Sequence, residues 1–143
     1  MDVENQLAVS LGKELLAHKQ TLSFAESCTG GLTSSLVTDV AGSSEYLIGS
    51  IVTYTNEAKH NLLKVKQSTL DAYGAVSEET ACEMAQGVRE LFGSDYGVGI
   101  TGNAGPSGSE GKPVGLVYIA IATVDDVYCK ELYFTSTRIE NKL

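Results

Sequence analysis

The order in which two hydrophobic periods follow one another constrains this chain more than any other feature. Leu7, Leu11 and Leu15 lie four apart and predict a helix over about Asn5 to His18, after which Thr21 to Ala25 reads as a short strand. Helical spacing resumes at Leu32, Leu36 and Val40, so the chain passes from strand through the tight turn Glu26-Ser27-Cys28-Thr29-Gly30-Gly31 into a helix. Leu47 to Tyr54 is β-rich, and Asn56 is the expected N-cap of a short helix carrying Lys59. From Glu78 to Leu91, Ala81, Met84, Ala85 and Val88 form one apolar stripe, Ser77 supplies the cap, and Glu78 and Glu79 complement the helix dipole. Tyr96 to Thr101 reads as a strand that leads into a glycine-rich loop. Val114 to Ala122 is a nearly all-apolar strand, and Val127 to Phe134 is its hairpin partner across Asp125-Asp126. Helices alternate with strands early and strands pair late. That order predicts a three-layer α/β/α sandwich with a mixed, mostly parallel sheet, with ligands held by loops at the strand ends.

At 143 residues and 43% hydrophobic composition, with no internal repeat or compositional linker, the chain fits a single domain over residues 1–143. A formal net charge of -8 opposes nucleic acid and anionic lipid, so neither nucleic acid nor membrane is an expected partner. An anionic small molecule would need a local positive pocket. The longest apolar run, Val114 to Val124, is too short to cross a bilayer, and Met1-Asp2-Val3-Glu4-Asn5 does not begin a signal peptide. The three cysteines, Cys28, Cys82 and Cys129, match neither a disulfide framework nor a CxxC metal pattern. A reducing cytoplasmic setting is expected, with a homodimer as the base-rate assembly.

Ser27 lies just before Thr29-Gly30-Gly31 and a helix start, where backbone N–H groups and the positive dipole end could hold a developing oxyanion. The same spacing also fits a Ser27 or Thr29 that only caps the helix. The segment is not a G-x-S-x-G nucleophile elbow, since Ala25 and Thr29 stand where the glycines would be. A Ser-His-Asp triad has only His18 and His60 to draw on, both read as surface or helix-end residues. Lys59 is the better base, although as one it must lose its proton, and Glu26 or Glu57 touching the ammonium would oppose that. Cys28 has no histidine placed to make its thiolate and reads as packing. The stretch from Gly102 to Pro113, including Asn103 and Gly105, offers many amides. It is not a Walker A loop, because Gly105 stands five residues before Gly111 and Pro113 follows Lys112. Thr101, at a strand end, could orient nucleophile or substrate, and Arg138 could supply a bidentate phosphate contact. No metal-ligand set is apparent, and Glu110 is the one carboxylate near the glycine loop.

Several segments resemble the CinA C-terminal domain family, the nicotinamide-nucleotide amidases, in order and spacing. They are Ala25 to Gly31, Val52 to Lys59, Gly74-Ala75-Val76-Ser77, Gly99 to Pro106 and Lys112 to Val117. The resemblance implies hydrolysis of the carboxamide of nicotinamide mononucleotide to nicotinic acid mononucleotide and ammonia, with no metal or organic cofactor. It implies Ser27 as nucleophile, Lys59 as general base, and Tyr54 and Thr101 as polar partners. It further places Thr29, Gly30, Gly31, Gly102, Asn103 and Gly105 at the substrate, with Arg138 nearby and Ser44 as an additional candidate. It also implies a final helix beyond Leu143, whose absence would uncover one sheet face. The competing expectation is a non-catalytic binding or regulatory module on the same fold, linked to competence and the DNA-damage response, because a fold alone does not establish activity.

Overall fold

A computed structural model describes residues 3–103 and 115–133. In chain order the elements are α1 (Val3–His18), β1 (Leu22–Glu26), α2 (Leu32–Thr38), a 3-10 turn (Ser43–Glu45), β2 (Leu47–Val52), α3 (Asn56–Leu63), α4 (Gln67–Tyr73), α5 (Glu78–Phe92), β3 (Tyr96–Gly102), β4 (Leu116–Ala122) and β5 (Val127–Tyr133). The strands form one sheet in the order β2-β1-β3-β4-β5. The pairings of β1 with β2 and β3 are parallel, and those of β4 with β3 and β5 are antiparallel. Four of the five strands therefore point the same way, and β4 alone runs against them. The expected three-layer mixed sheet is what the chain forms.

Strand alternation sorts the core into two halves. Ala25, with Leu63, Val65, Leu70, Met84 and Val88, fills the space between the sheet and α3, α4 and α5. Leu22 and Phe24 face the other way, toward Leu15 of α1 and Val37 of α2, with Tyr46 between them. The helix α5 is the central support, and its predicted stripe, Ala81, Met84, Ala85 and Val88, is fully buried. It starts where expected: Ser77 Oγ accepts from Thr80 N at 3.1 Å. It ends at Gly93, in the left-handed region that a residue without Cβ adopts cheaply.

Two local expectations shift. In α1 the buried face is Ala8, Gly12 and Leu15, while Leu7 and Leu11 are exposed, because Gly12 is the position against which the Tyr46 ring packs. In α3 the cap is Thr55 rather than Asn56: its backbone is extended and its Oγ1 accepts from Ala58 N at 3.1 Å. The helix α4 was not foreseen. It is a seven-residue helix whose first turn is held from outside, with Lys66 N and Thr69 Oγ1 donating to the two carboxylate oxygens of Glu83 on α5. An apolar groove lined by Leu11, Leu15, Leu22, Phe24, Val98 and Ile121 runs between α1 and the sheet. Among the described residues no helix is long and apolar enough to cross a membrane.

The close seating of α5 generates a stability prediction. A Cβ on Gly99 would lie 2.5 Å from Ala81 O and 2.7 Å from Ala85 N, both backbone atoms that cannot rotate away. Gly99→Ala is expected to destabilise the chain by about 2–3 kcal/mol, read as a lower urea midpoint at unchanged slope.

Candidate active site

The register of three parallel strands assembles the site. Ala25 pairs with Ile51 and Gly99, and Glu26 with Val52 and Ile100. One step further, Ser27 N donates to Ile100 O at 3.1 Å and Thr53 N donates to Glu26 O at 2.8 Å. The ladder thus runs past the end of β1 and sets Ser27 beside Thr53 on one side and Thr101 on the other. All three hydroxyl residues are buried, at the carboxyl ends of strands where ligands of open α/β sheets bind.

Alternation also separates the two charged side chains. Glu26 points to the face of α2 and Ser27 to the face of α3, where Lys59 waits. The Lys59 amine lies 3.0 Å from Ser27 Oγ, 2.8 Å from Thr53 O and 3.3 Å from Tyr54 O, in a side chain only 1% exposed. Nζ thus makes its contact with Ser27 Oγ beside two with backbone carbonyls. An ammonium would donate there, whereas a neutral amine would present its lone pair to the serine hydroxyl.

Glu26 is fully buried and its carboxylate gathers four donors. Thr29 Oγ1 donates at 2.6 Å, Thr33 N and Ser34 N each at 2.9 Å, and Ser34 Oγ closes the set. Burial pushes its carboxyl up, but the bonds from Ser34 and Thr29 and the two amides outweigh it and leave the group below its ordinary 4.5. The carboxylate occupies the first-turn amides of α2, so those amides are not available to an oxyanion. The Gly30 amide is likewise committed, to Ser27 O. The amides of Cys28 and Thr29 turn to the Cys28 sulfur, and among the described residues the Gly31 amide has no hydrogen-bonded carbonyl or carboxylate. Gly30 and Gly31 carry that turn at φ of 62° and 99°.

The remaining candidates divide. Tyr54 contributes its carbonyl to Lys59, while the residue is 59% exposed. Thr101 Oγ1 donates to Ala75 O at 2.8 Å, which ties the end of β3 to the segment before α5. That segment is itself folded by Ser77 Oγ and Thr80 Oγ1 donating to Gly74 O. Gly102 and Asn103 continue from Thr101, with Asn103 N donating to Leu116 O at 2.9 Å. Ser44 is not brought to the site. It is exposed in the 3-10 turn before β2, next to Tyr46, whose carbonyl accepts from Leu22 N at the opposite end of β1. Gly105 and Arg138 lie outside the described residues, as does most of the glycine-rich loop. Cys28 packs against Ile100 and Val117, and burial pushes its thiol up to about 11, so it stays protonated at neutral pH. Among the described residues no group of three or more His, Cys, Asp or Glu side chains could hold a metal ion. Two contributors were missed in the sequence. Thr53 supplies a carbonyl to Lys59, and Glu26 anchors the turn that carries Ser27 rather than touching the lysine.

The lowered Glu26 value has a definite sign in stability. The folded chain takes up this proton less readily than the unfolded chain, so ionised Glu26 stabilises the fold above about pH 4.5, and the contribution fades as pH falls through the lower folded value. Denaturation midpoints of wild type and Glu26→Gln should therefore converge as pH is brought below 4.5, with wild type the more stable at neutral pH.

Comparison with known proteins places the fold in a family. The family model described as the CinA C-terminal domain matches residues 4–143. A CinA-like protein of Desulforapulum autotrophicum is 60% identical over 113 residues, covering 78% of this chain and 27% of its own length. A CinA-like protein of Endomicrobium trichonymphae is 51% identical over 133 residues, covering 92% and 31% respectively. The chain thus spans about a third or less of the length of these relatives. Among solved structures, the competence damage-inducible protein A of Klebsiella pneumoniae superposes with a TM-score of 0.96 at 31% identity, over 99% of this chain and 88% of that one. The competence/damage inducible protein CihA of Agrobacterium tumefaciens gives a TM-score of 0.93 at 38% identity, over 99% and 90%. Fold, sequence and the span of the match agree that this chain belongs to the CinA C-terminal domain family.

Proposed function

We propose that the chain is an amidohydrolase of the Ser/Lys type and that its substrate is the carboxamide of nicotinamide mononucleotide. The observation that carries the reaction type is the 3.0 Å approach of Lys59 Nζ to Ser27 Oγ, both buried at the strand ends. A lysine base must be neutral before it can accept a proton, and removal of the ammonium from water acts in that direction. The substrate assignment rests on the family resemblance of the motifs around Ser27, Lys59 and Thr101.

In this reading Ser27 Oγ attacks the amide carbon while its proton passes to Lys59 Nζ. Negative charge gathers on the former carbonyl oxygen, and the amide of Gly31, in the turn that follows Ser27, is a donor that could receive it. As the C–N bond breaks, Lys59 returns the proton to the leaving nitrogen and ammonia departs, leaving an ester on Ser27. Water, giving its proton to the same lysine, then attacks the ester; as the C–O bond breaks Lys59 returns the proton to Ser27 Oγ, and nicotinic acid mononucleotide leaves.

Ammonia release from nicotinamide mononucleotide is the direct assay. Ser27→Ala is expected to abolish turnover, and Lys59→Met, which keeps the apolar stem, to lower kcat by about 10²–10⁴-fold. Cys28→Ala should keep most of the activity. A folded wild-type chain that releases no ammonia would overturn the substrate assignment and favour the non-catalytic binding module.

A further inference from the structure

The contact between α5 and the far half of the sheet is built from the smallest side chains. Ala81 and Ala85 meet Ala120 and Ala122 of β4, and Gly97 and Gly99 of β3 lie directly under the helix backbone. Helix and sheet therefore approach more closely than leucine or valine would allow. Cys82 follows Ala81 on α5, and Cys129 is the cross-strand partner of Ala120 on β5. Both pack against the same alanine cluster, and their thiols interact directly. Both are free and only partly buried, so a small solute can reach them. Cys28 cannot compete for either one, because it packs with Ile100 and Val117 on the opposite face of the sheet.

We infer that Cys82 and Cys129 are a modification site, a dithiol that small thiol oxidants such as hydrogen peroxide convert into a disulfide joining α5 to β5. One thiolate attacks a peroxide oxygen, the O–O bond breaks, and a sulfenic acid and water result. The second thiol then attacks that sulfur, the S–S bond forms, and the oxygen leaves as a second water. The two sulfurs together lose two electrons and two protons, and the peroxide is reduced to water. A dithiol reductant reverses the change.

Burial and the carboxylates of Glu78 and Glu79 push both thiols up, that of Cys129 to about 12, with Cys82 adding to the rise at Cys129 and Glu83 to that at Cys82. Thiolate is scarce at neutral pH, so the pair stays reduced until oxidant is sustained. The physical consequence of the bond falls on β5. Among the described residues this edge strand is hydrogen-bonded on one side only, and a covalent tie to the central helix closes a long loop through β3 and β4.

The test is to treat the folded chain with hydrogen peroxide, quench, denature, and alkylate the remaining thiols. The expected result is an intact mass lower by about 2 Da before alkylation and one alkylated cysteine, with a Cys82–Cys129 linked pair in the peptide map. The thermal midpoint should rise by at least about 5 °C, revert with dithiothreitol, and not move in Cys82→Ser or Cys129→Ser. Three alkylatable thiols after treatment, a bond to Cys28, an intermolecular link, or sulfinic acid at either position would overturn the assignment. So would a linked pair with an unchanged thermal midpoint.

Discussion

Glu26 is withdrawn from solvent completely, a depth at which a carboxylate is tolerable only because four donors converge on it. Each of those donors is a piece of the turn that follows. Thr29 belongs to the turn itself, and Thr33 and Ser34 belong to the first turn of α2, so one side chain fixes the loop and the helix entry together. Ser34 Oγ also shares a hydrogen bond with Ser50 Oγ of β2 at 2.6 Å, which extends the restraint to the neighbouring strand. The position of Ser27 is thereby set from the side of the sheet that Ser27 does not face. An unpaired buried carboxylate is costly, so the bonds that satisfy Glu26 also hold the loop that carries Ser27.

The same alternation protects the lysine. A carboxylate touching Nζ would favour the ammonium, and the two acidic residues nearest in sequence, Glu26 and Glu57, were the obvious threats. Glu26 is turned to the α2 face by its place in β1, and Glu57 is exposed in the first turn of α3, where it complements the helix dipole. The contacts that hold Lys59 to Thr53 and Tyr54 are with neutral carbonyls at the end of β2. Two of the contacts of Lys59 are therefore with backbone, whose charge does not change with protonation state.

Packing on the other half of the sheet follows a different rule. Alanine and glycine let α5 sit close over β3 and β4, and this closeness places Ala75 within reach of Thr101 at one end and Cys82 against Cys129 at the side. A larger residue at Gly97 or Gly99 would lift the helix and disturb both contacts. The end of β3, where Thr101 leads into the glycine-rich segment, is thus coupled to the seating of a helix whose own residues carry no chemistry in the proposed reaction.

Apolar pattern, β-rich composition and cap residues locate β1 to β5, α1 to α3 and α5 to within a few residues, because these signals lie in the local sequence. The stripe of α5 and its Ser77 cap were legible for that reason. The faces of α1 were not, since Leu7 and Leu11 match the helical period as well as Ala8 and Gly12, and only Tyr46, arriving from elsewhere in the chain, decides between them. The helix α4 was equally illegible, as its first turn is held by Glu83 on another helix. At the site, residue types and motif order singled out Ser27 and Lys59, but the 3.0 Å between them, the role of Glu26 and the displacement of Ser44 to the opposite end of the sheet are consequences of strand register. Sequence by itself determined which elements form and which residues have the right chemistry, because those depend on neighbours within a turn or two. Only the tertiary structure decided which residues meet, because pairing β1 in parallel with both β2 and β3 joins segments that local sequence cannot bring together.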